Sequence, residues 1–213
     1  MTPKADSLPP ACPSRPPRAY RGVSQEERRA ERRRRLIAAA IEVYGGQGYR
    51  QSPVKAVCAA AGLTERYFYE SFGNSEELLL AAYGAAIEEL VSDMTQAART
   101  AGEDRPRRAH AMLHAYFTAL QRKPPAARLI LVEIRGVSQV AADAYTETLR
   151  GVARMVGDIF AADGEKVHEL FALGVVGGIS QIALQWIQQG YAPPIEELIG
   201  IALRLGSGWL NPR

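Results

Sequence analysis

The stretch Ser52-Pro53-Val54-Lys55-Ala56-Val57-Cys58-Ala59-Ala60-Ala61-Gly62-Leu63-Thr64-Glu65-Arg66-Tyr67-Phe68-Tyr69-Glu70-Ser71-Phe72-Gly73-Asn74-Ser75-Glu76-Glu77-Leu78 decides the fold. A serine can cap free helical N–H groups, and a proline is preorganised for the first helical turn, so a short helix is expected over 53–61, burying Val54, Val57 and Ala61. Gly62 ends it, Leu63 plugs the turn, and Thr64 stands where it would cap a second short helix from Glu65 to Phe72. Gly73-Asn74 breaks that helix, and Asn74 with Glu77 has the spacing of a capping box that opens a longer helix to about Arg99. Two short helices about a tight glycine turn have the geometry of a helix-turn-helix, whose second helix enters a DNA major groove. Thr64, Glu65, Arg66 and Tyr67 occupy the first turn of that second helix, where side chains point to a groove floor and free N–H groups can meet a phosphate. Phe68 and Phe72, four apart, supply the opposite, core-facing side.

Upstream, Leu36, Ala40, Val43 and Tyr44 recur at helical steps in a segment from Ser24 to Tyr44, whose earlier turns carry Arg28, Arg29 and Arg32 to Arg35. That arginine run winds round the whole helix, so most of it reads as a solvated face with one or two members free to meet phosphate. Gly45, Gly46 and Gly48 stop the helix; with no preceding strand and no following Gly-Lys-Ser/Thr, they are not a phosphate-cradling loop. The first 22 residues are proline-rich and lack an apolar signal-peptide core, and they read as a flexible basic arm containing Arg18 and Arg21. Charge is unevenly placed: residues 1–75 hold thirteen Lys and Arg against seven Asp and Glu, while the whole chain is only +3. The basic end is the candidate polyanion-binding end. Cys12 and Cys58 are far apart in sequence and Cys58 lies in an apolar helical pattern, which fits a reducing cytoplasm rather than a disulfide framework.

Downstream the pattern stays helical, with helices expected near 107–122, 125–135, 139–161, 165–189 and 194–206. The fold class is all-α. Leu170 to Ile195 carries no charge and is long enough to span a bilayer, yet Gln181, Gln185, Gln188, Gln189 and Pro193-Pro194 favour a buried or subunit-facing helix. No nucleophile elbow, P-loop or dinucleotide fingerprint is present, so no enzyme activity and no cofactor are expected. His110 and His114 share a helix face but lack a third ligand, so no metal site is expected. A mostly apolar ligand pocket with a few orienting groups is expected from Met94, Met112, His114, Phe117, Glu133, Tyr145, Met155 and Gln181. The last two helices carry Val175, Ile179, Ile182, Ala183, Trp186, Ile199 and Leu203, an apolar surface suited to two-fold pairing.

The run from Ser52 to Leu78 resembles the helix-turn-helix of TetR-type regulators: capping hydroxyl, buried Val57, Ala61-Gly62, Leu63, Thr64, aromatic Tyr69, Phe72, then an acidic helix start. The resemblance spans roughly residues 30–80, and the remainder shares only helical layout and length. It implies a homodimer whose last two helices form a four-helix interface, with a ligand cavity in the domain between. It also implies that Ser52 caps and touches a phosphate, that Thr64 to Tyr67 face bases or backbone, and that Tyr69 reaches the phosphate chain. Family members commonly carry lysine where this chain has Ser75; Lys55, Arg18 and Arg21 are the replacements available for that contact. Arg66 is placed either to read guanine or to bind phosphate, and Glu65 either to accept from cytosine or to complement the helix dipole.

The expected organisation is therefore an arm over 1–22, a DNA-binding domain over 23–74, and a ligand-binding and dimerisation domain over 75–213. The function expected is that of a cytoplasmic repressor released from a palindromic double-stranded DNA operator by a small-molecule effector. The rival is a ligand-binding helical scaffold whose basic end merely contacts acidic partners.

Overall fold

A computed structural model describes residues 24–160 and 167–206 of the chain. Among these residues all regular structure is helical. Helix α1 (Gln25–Gln47) starts on a complete capping box: Ser24 Oγ accepts the Glu27 N–H at 3.0 Å, and Glu27 accepts the Ser24 N–H at 2.6 Å. Those bonds hold the exposed Glu27 carboxyl below its usual range. Leu36, Ala40, Val43 and Tyr44 are buried, the phase their spacing predicts. Gly48 ends the helix at φ 94°, in territory that disfavours L side chains, and a one-turn 3-10 segment follows over Tyr49–Gln51.

Helix α2 (Val54–Ala61) ends in a Schellman motif: Gly62 is left-handed, its N–H bonds Ala59 O, and the Leu63 N–H bonds Cys58 O at 2.9 Å. Helix α3 (Glu65–Tyr69) is shorter than expected, because the chain turns at Glu70 rather than continuing to Phe72. Two capping expectations need correction. Ser52 is not the cap of α2, since its hydroxyl donates backward to Gly48 O at 2.7 Å and the residue is 6% exposed. Thr64 holds the cap position of α3 by backbone only, with no side-chain bond.

Helix α4 (Ser75–Thr100) opens with Asn74 Oδ1 accepting the Glu77 N–H, while Glu77 accepts from Gly73 N–H, one residue before the expected partner. It runs alongside α5 (Arg105–Arg122), which begins earlier than expected because Asp104 caps it and Pro106 sits in its first turn. Helix α6 (Pro124–Arg128) passes into a π-helical stretch over Leu129–Glu133. Helices α7 (Gln139–Phe160), α8 (Glu169–Gln188) and α9 (Ile195–Leu205) complete the fold, α7 packing on α8 and α9 on α5 and α8. By length and composition α8 alone among the described helices could cross a membrane, but it lies between α7 and α9 with Gln181, Gln185 and Gln188 on its outer side. The expected start of this helix at 165 and the arm over 1–22 lie outside the described residues.

Several residues of the expected dimer surface are engaged within one protomer. Ala183, Trp186 and Ile199 are at most 1% exposed within one protomer, Val175, Ile179 and Leu203 line an internal cavity, and Ile182 packs against the core. Trp186 stands edge-on to Phe117 and Tyr191, and its indole N–H donates to Pro193 O at 2.8 Å. The physical reason is that α8 is apolar around most of its circumference, so apolarity cannot say which side faces inward. The side left outside carries Leu170, Gly174, Gln181, Gln185 and Gln188.

Candidate nucleic-acid interface and ligand cavity

The inner side of α3 is anchored by Phe68, fully buried, and the turn after it by Phe72, 4% exposed, with their rings 5.9 Å apart. With those two inside, the helix presents Thr64, Glu65, Arg66 and Tyr69 to solvent, and Tyr69 is 63% exposed. Lys55 on α2 is also exposed. Tyr67 departs from expectation: it is half-buried, with the Arg32 guanidinium 4.4 Å above its ring. Ser52 offers no free hydroxyl, as described above. Arg18 and Arg21 lie outside the described residues.

The arginine run on α1 is also not what its spacing implies. Arg32 bridges to Glu70, Arg33 stacks over Phe72, Arg34 pairs with Glu31, and Arg35 donates to the Ala61 carbonyl at 2.6 Å, where α2 leaves that acceptor unpaired. Arg29 reaches the Glu70 carbonyl at 2.6 Å. Glu70 is thus the hub: its carboxylate also takes Arg66 Nε at 3.2 Å, one helical turn back. The contacts of Arg29, Arg32 and Arg33 were invisible in sequence because they join residues about forty positions apart. Ser75, the departure from the family pattern, bonds the Tyr49 hydroxyl at 3.1 Å and so ties the start of α4 to the turn preceding α2.

Within the C-terminal helices, about 1000 Å³ of unfilled space, counting its open mouth, lies between α4, α5, α7, α8, α9 and the π-helical stretch. Met94, Met112 and Tyr145 line it as expected. The other five expected residues do not. His114 is exposed and stacks on His110, which turns to Glu196; Phe117 is buried against Tyr116 and Trp186; Gln181 is exposed. Met155 accepts from Thr95 at 3.5 Å outside the lining. Glu133 points the other way, as described below. It lies at the end of the π-helical stretch, which shifts helical phase by a residue and cannot be read from periodicity.

The lining is almost wholly aliphatic and aromatic, with hydroxyls from Tyr83, Tyr116, Tyr145, Thr148 and Ser180. Thr148 stands beside the Tyr83 hydroxyl and Ser180 beside that of Tyr116. Burial nevertheless raises both phenols, Tyr83 to about 12. The Tyr145 hydroxyl accepts from Arg135 at 2.7 Å.

One segment touches both sites. Ile130 and Leu131 of the π-helical stretch line the cavity, and Glu133 at its end accepts the Tyr49 N–H at 3.0 Å and an Arg128 N–H at 3.2 Å. Arg50 donates to Gly136 O, and Ser138 to the Glu76 carboxylate. Gly45 on α1 meets α6 so closely that a Cβ there would lie 1.9 Å from Pro125 O.

Comparison with known proteins places these features in context. The family model for bacterial regulatory proteins of the tetR family matches residues 36–82. The chain is 28% identical over 169 residues to the transcriptional activator FasR of Mycolicibacterium smegmatis, covering 75% of this chain and 74% of that protein. It is 25% identical over 211 residues to the transcriptional repressor KstR of Mycobacterium tuberculosis, covering 92% of each. Among solved structures, the transcriptional regulator FadR of Bacillus subtilis, in complex with stearoyl-CoA, superposes with a TM-score of 0.62 at 18% identity, over 84% of this chain and 98% of that one.

Proposed function

We propose that the chain, whose residues 36–82 match the model of the tetR family of bacterial regulatory proteins, is a TetR-type repressor whose grip on a palindromic operator is released when an elongated, mostly apolar small molecule occupies the helical cavity. The observation that carries this reading is the Leu129–Glu133 stretch, which lines the cavity with Ile130 and Leu131 and hydrogen-bonds the turn before α2 through Glu133. A ligand that reshapes the stretch changes the seat of the helix-turn-helix, and so favours a state whose recognition helices no longer match successive major grooves, about 34–36 Å apart. Thr64, Glu65, Arg66 and Tyr69 are the surface that meets DNA, with Lys55 and the basic arm adding phosphate contacts. Two-fold pairing uses the outer, glycine- and glutamine-bearing side of α8 rather than its apolar side, which the protomer itself buries. The stearoyl-CoA held by the FadR neighbour supports a long-chain ligand. The protein works in the cytoplasm and catalyses no reaction.

The name of the FasR relative favours one second reading, in which ligand strengthens DNA binding and the protein activates. Selection of bound duplexes from a random pool, followed by salt titration, tests the DNA half of the proposal. A palindromic consensus whose advantage over random duplex is lost in Arg66→Ala is expected; sequence-independent binding that salt abolishes would favour the scaffold alternative. Repeating the titration with ligand separates repressor from activator by the sign of the change.

A further inference from the structure

The cavity has unequal ends. Tyr145 and Phe160 both line it and are fifteen residues apart on α7, a run of about 22 Å at the helical rise. The lining hydroxyls belong to Tyr83, Tyr116, Tyr145, Thr148 and Ser180 and gather at one end: Thr148 stands beside Tyr83, Ser180, which donates to Val176 O, stands beside Tyr116, and Tyr145 accepts from Arg135. These hydroxyls are uncharged and offer an anionic head group no ionic partner of their own. Toward Phe160 the wall is built of apolar side chains such as Met94, Ala109, Val152 and Val156.

Beside that second end sits Arg108. It precedes Ala109, a lining residue, and its guanidinium lies 5.9 Å over the ring of Phe160, another. Its Nε is shut off from solvent and has no acceptor, and the side chain forms no ion pair among the described residues. Three other arginines of the C-terminal helices are engaged: Arg128 with Glu133, Arg135 with Tyr145, Arg107 with Asp104. A guanidinium is permanently charged and presents its N–H donors in a planar fork matched to carboxylate and phosphate oxygens. A buried donor left without an acceptor is a standing cost that a suitable ligand oxygen removes.

We infer that Arg108 is the head-group anchor of the cavity, and that the ligand is a single-chain amphiphile with an anionic carboxylate or phosphate head, its alkyl chain running from Phe160 toward Tyr145. This rests on the ligand half of the function proposed above and names the class of molecule and the residue that selects it. Specificity then has two parts: the aliphatic wall sets chain length, and Arg108 separates an anion from its uncharged counterpart. Arg135, exposed and already stacked on Tyr145 at 4.7 Å, is not part of the anchor.

The test is equilibrium binding of hexadecanoate, hexadecyl phosphate and 1-hexadecanol, each below its aggregation concentration, to the full-length protein without DNA. The wild type is expected to prefer both anions over the alcohol by about tenfold or more, the range of a charge-assisted hydrogen bond. Arg108→Met should lower both anions to the level of the alcohol while leaving alcohol binding within about twofold; Arg108→Lys should keep part of the preference, and Arg135→Met all of it. Arg108 is half-exposed, and an unchanged circular dichroism spectrum and melting curve certify each variant. An anion preference that survives Arg108→Met, or one lost in Arg135→Met, overturns the anchor while leaving a chain-binding cavity intact. Failure of all three compounds to bind overturns the anchor together with the long-chain ligand of the function proposed above.

Discussion

Substituting Gly45 by alanine puts a Cβ 1.9 Å from the Pro125 carbonyl oxygen, whereas ordinary contact begins near 3.4 Å, so α1 and α6 would have to separate by roughly 1.5 Å. Neither side yields easily: Gly45 is buried in the last turns of α1, and Pro125 O accepts a backbone N–H within its own helix. Overpacking of this kind costs about 1–3 kcal/mol, and an unrelieved backbone clash belongs at the upper end. Alanine's helix preference returns about 1 kcal/mol, leaving a net loss of about 2 kcal/mol. For a chain of this length that is a fall in melting temperature of about 4–8 °C. Gly46 is the matched control, exposed on the same helix with nothing within 4 Å of an added Cβ, so Gly46→Ala should stabilise by up to about 1 kcal/mol. Thermal denaturation of both variants decides the matter. A Gly45→Ala protein that melts at or above the wild type would refute the close approach of α1 to α6, and with it the physical link between DNA-binding and ligand-binding parts.

Glu133→Ala removes the acceptor of the Tyr49 N–H and should cut the ligand-dependent change in DNA affinity by about fivefold or more, leaving the ligand's own dissociation constant within twofold; paired titrations check this. Tyr83 has a folded pKa of about 12, above its ordinary value near 10, so the stability it contributes is complete below about pH 10 and is lost as pH rises toward 12. Melting temperatures across pH 9–12 should fall over that window, less steeply in Tyr83→Phe. Lys55→Ala should weaken binding to selected and random duplexes alike and lower the salt slope by about one, whereas Arg66→Ala should cost about 1–3 kcal/mol on the selected duplex alone. Competition gel shifts at three salt concentrations distinguish the two.

The helix-turn-helix was legible because its determinants are local. Gly62 needs only its own left-handed backbone, Asn74 and Glu77 cap within one turn, and the four-residue step from Phe68 to Phe72 tells which side of α3 is inside. Ser52 misled because serine before proline caps many helices, while here Gly48 O, four residues back, takes the hydroxyl. The arginine run misled because its partners, Glu70 and the Ala61 carbonyl, lie far along the chain. In the C-terminal helices the outline of the elements was readable but their orientation was not. Trp186 and Ile199 look the same in sequence whether they meet a second subunit or Phe117 and the protomer core. Glu133 is, in sequence, a polar residue among apolar neighbours that suits an orienting group of a pocket, whereas at the end of the π-helical stretch it turns toward Tyr49. Arg108 gave no signal at all, since an unpaired guanidinium becomes visible only when its neighbours in space are known.

The central claim is that filling the cavity is felt at α3. Affinity for the selected duplex, measured by fluorescence anisotropy with the cavity empty and then saturated with hexadecanoate, tests this most directly. A dissociation constant raised by about tenfold or more on saturation is the predicted result. An unchanged constant, with the cavity independently shown to be full, would contradict it.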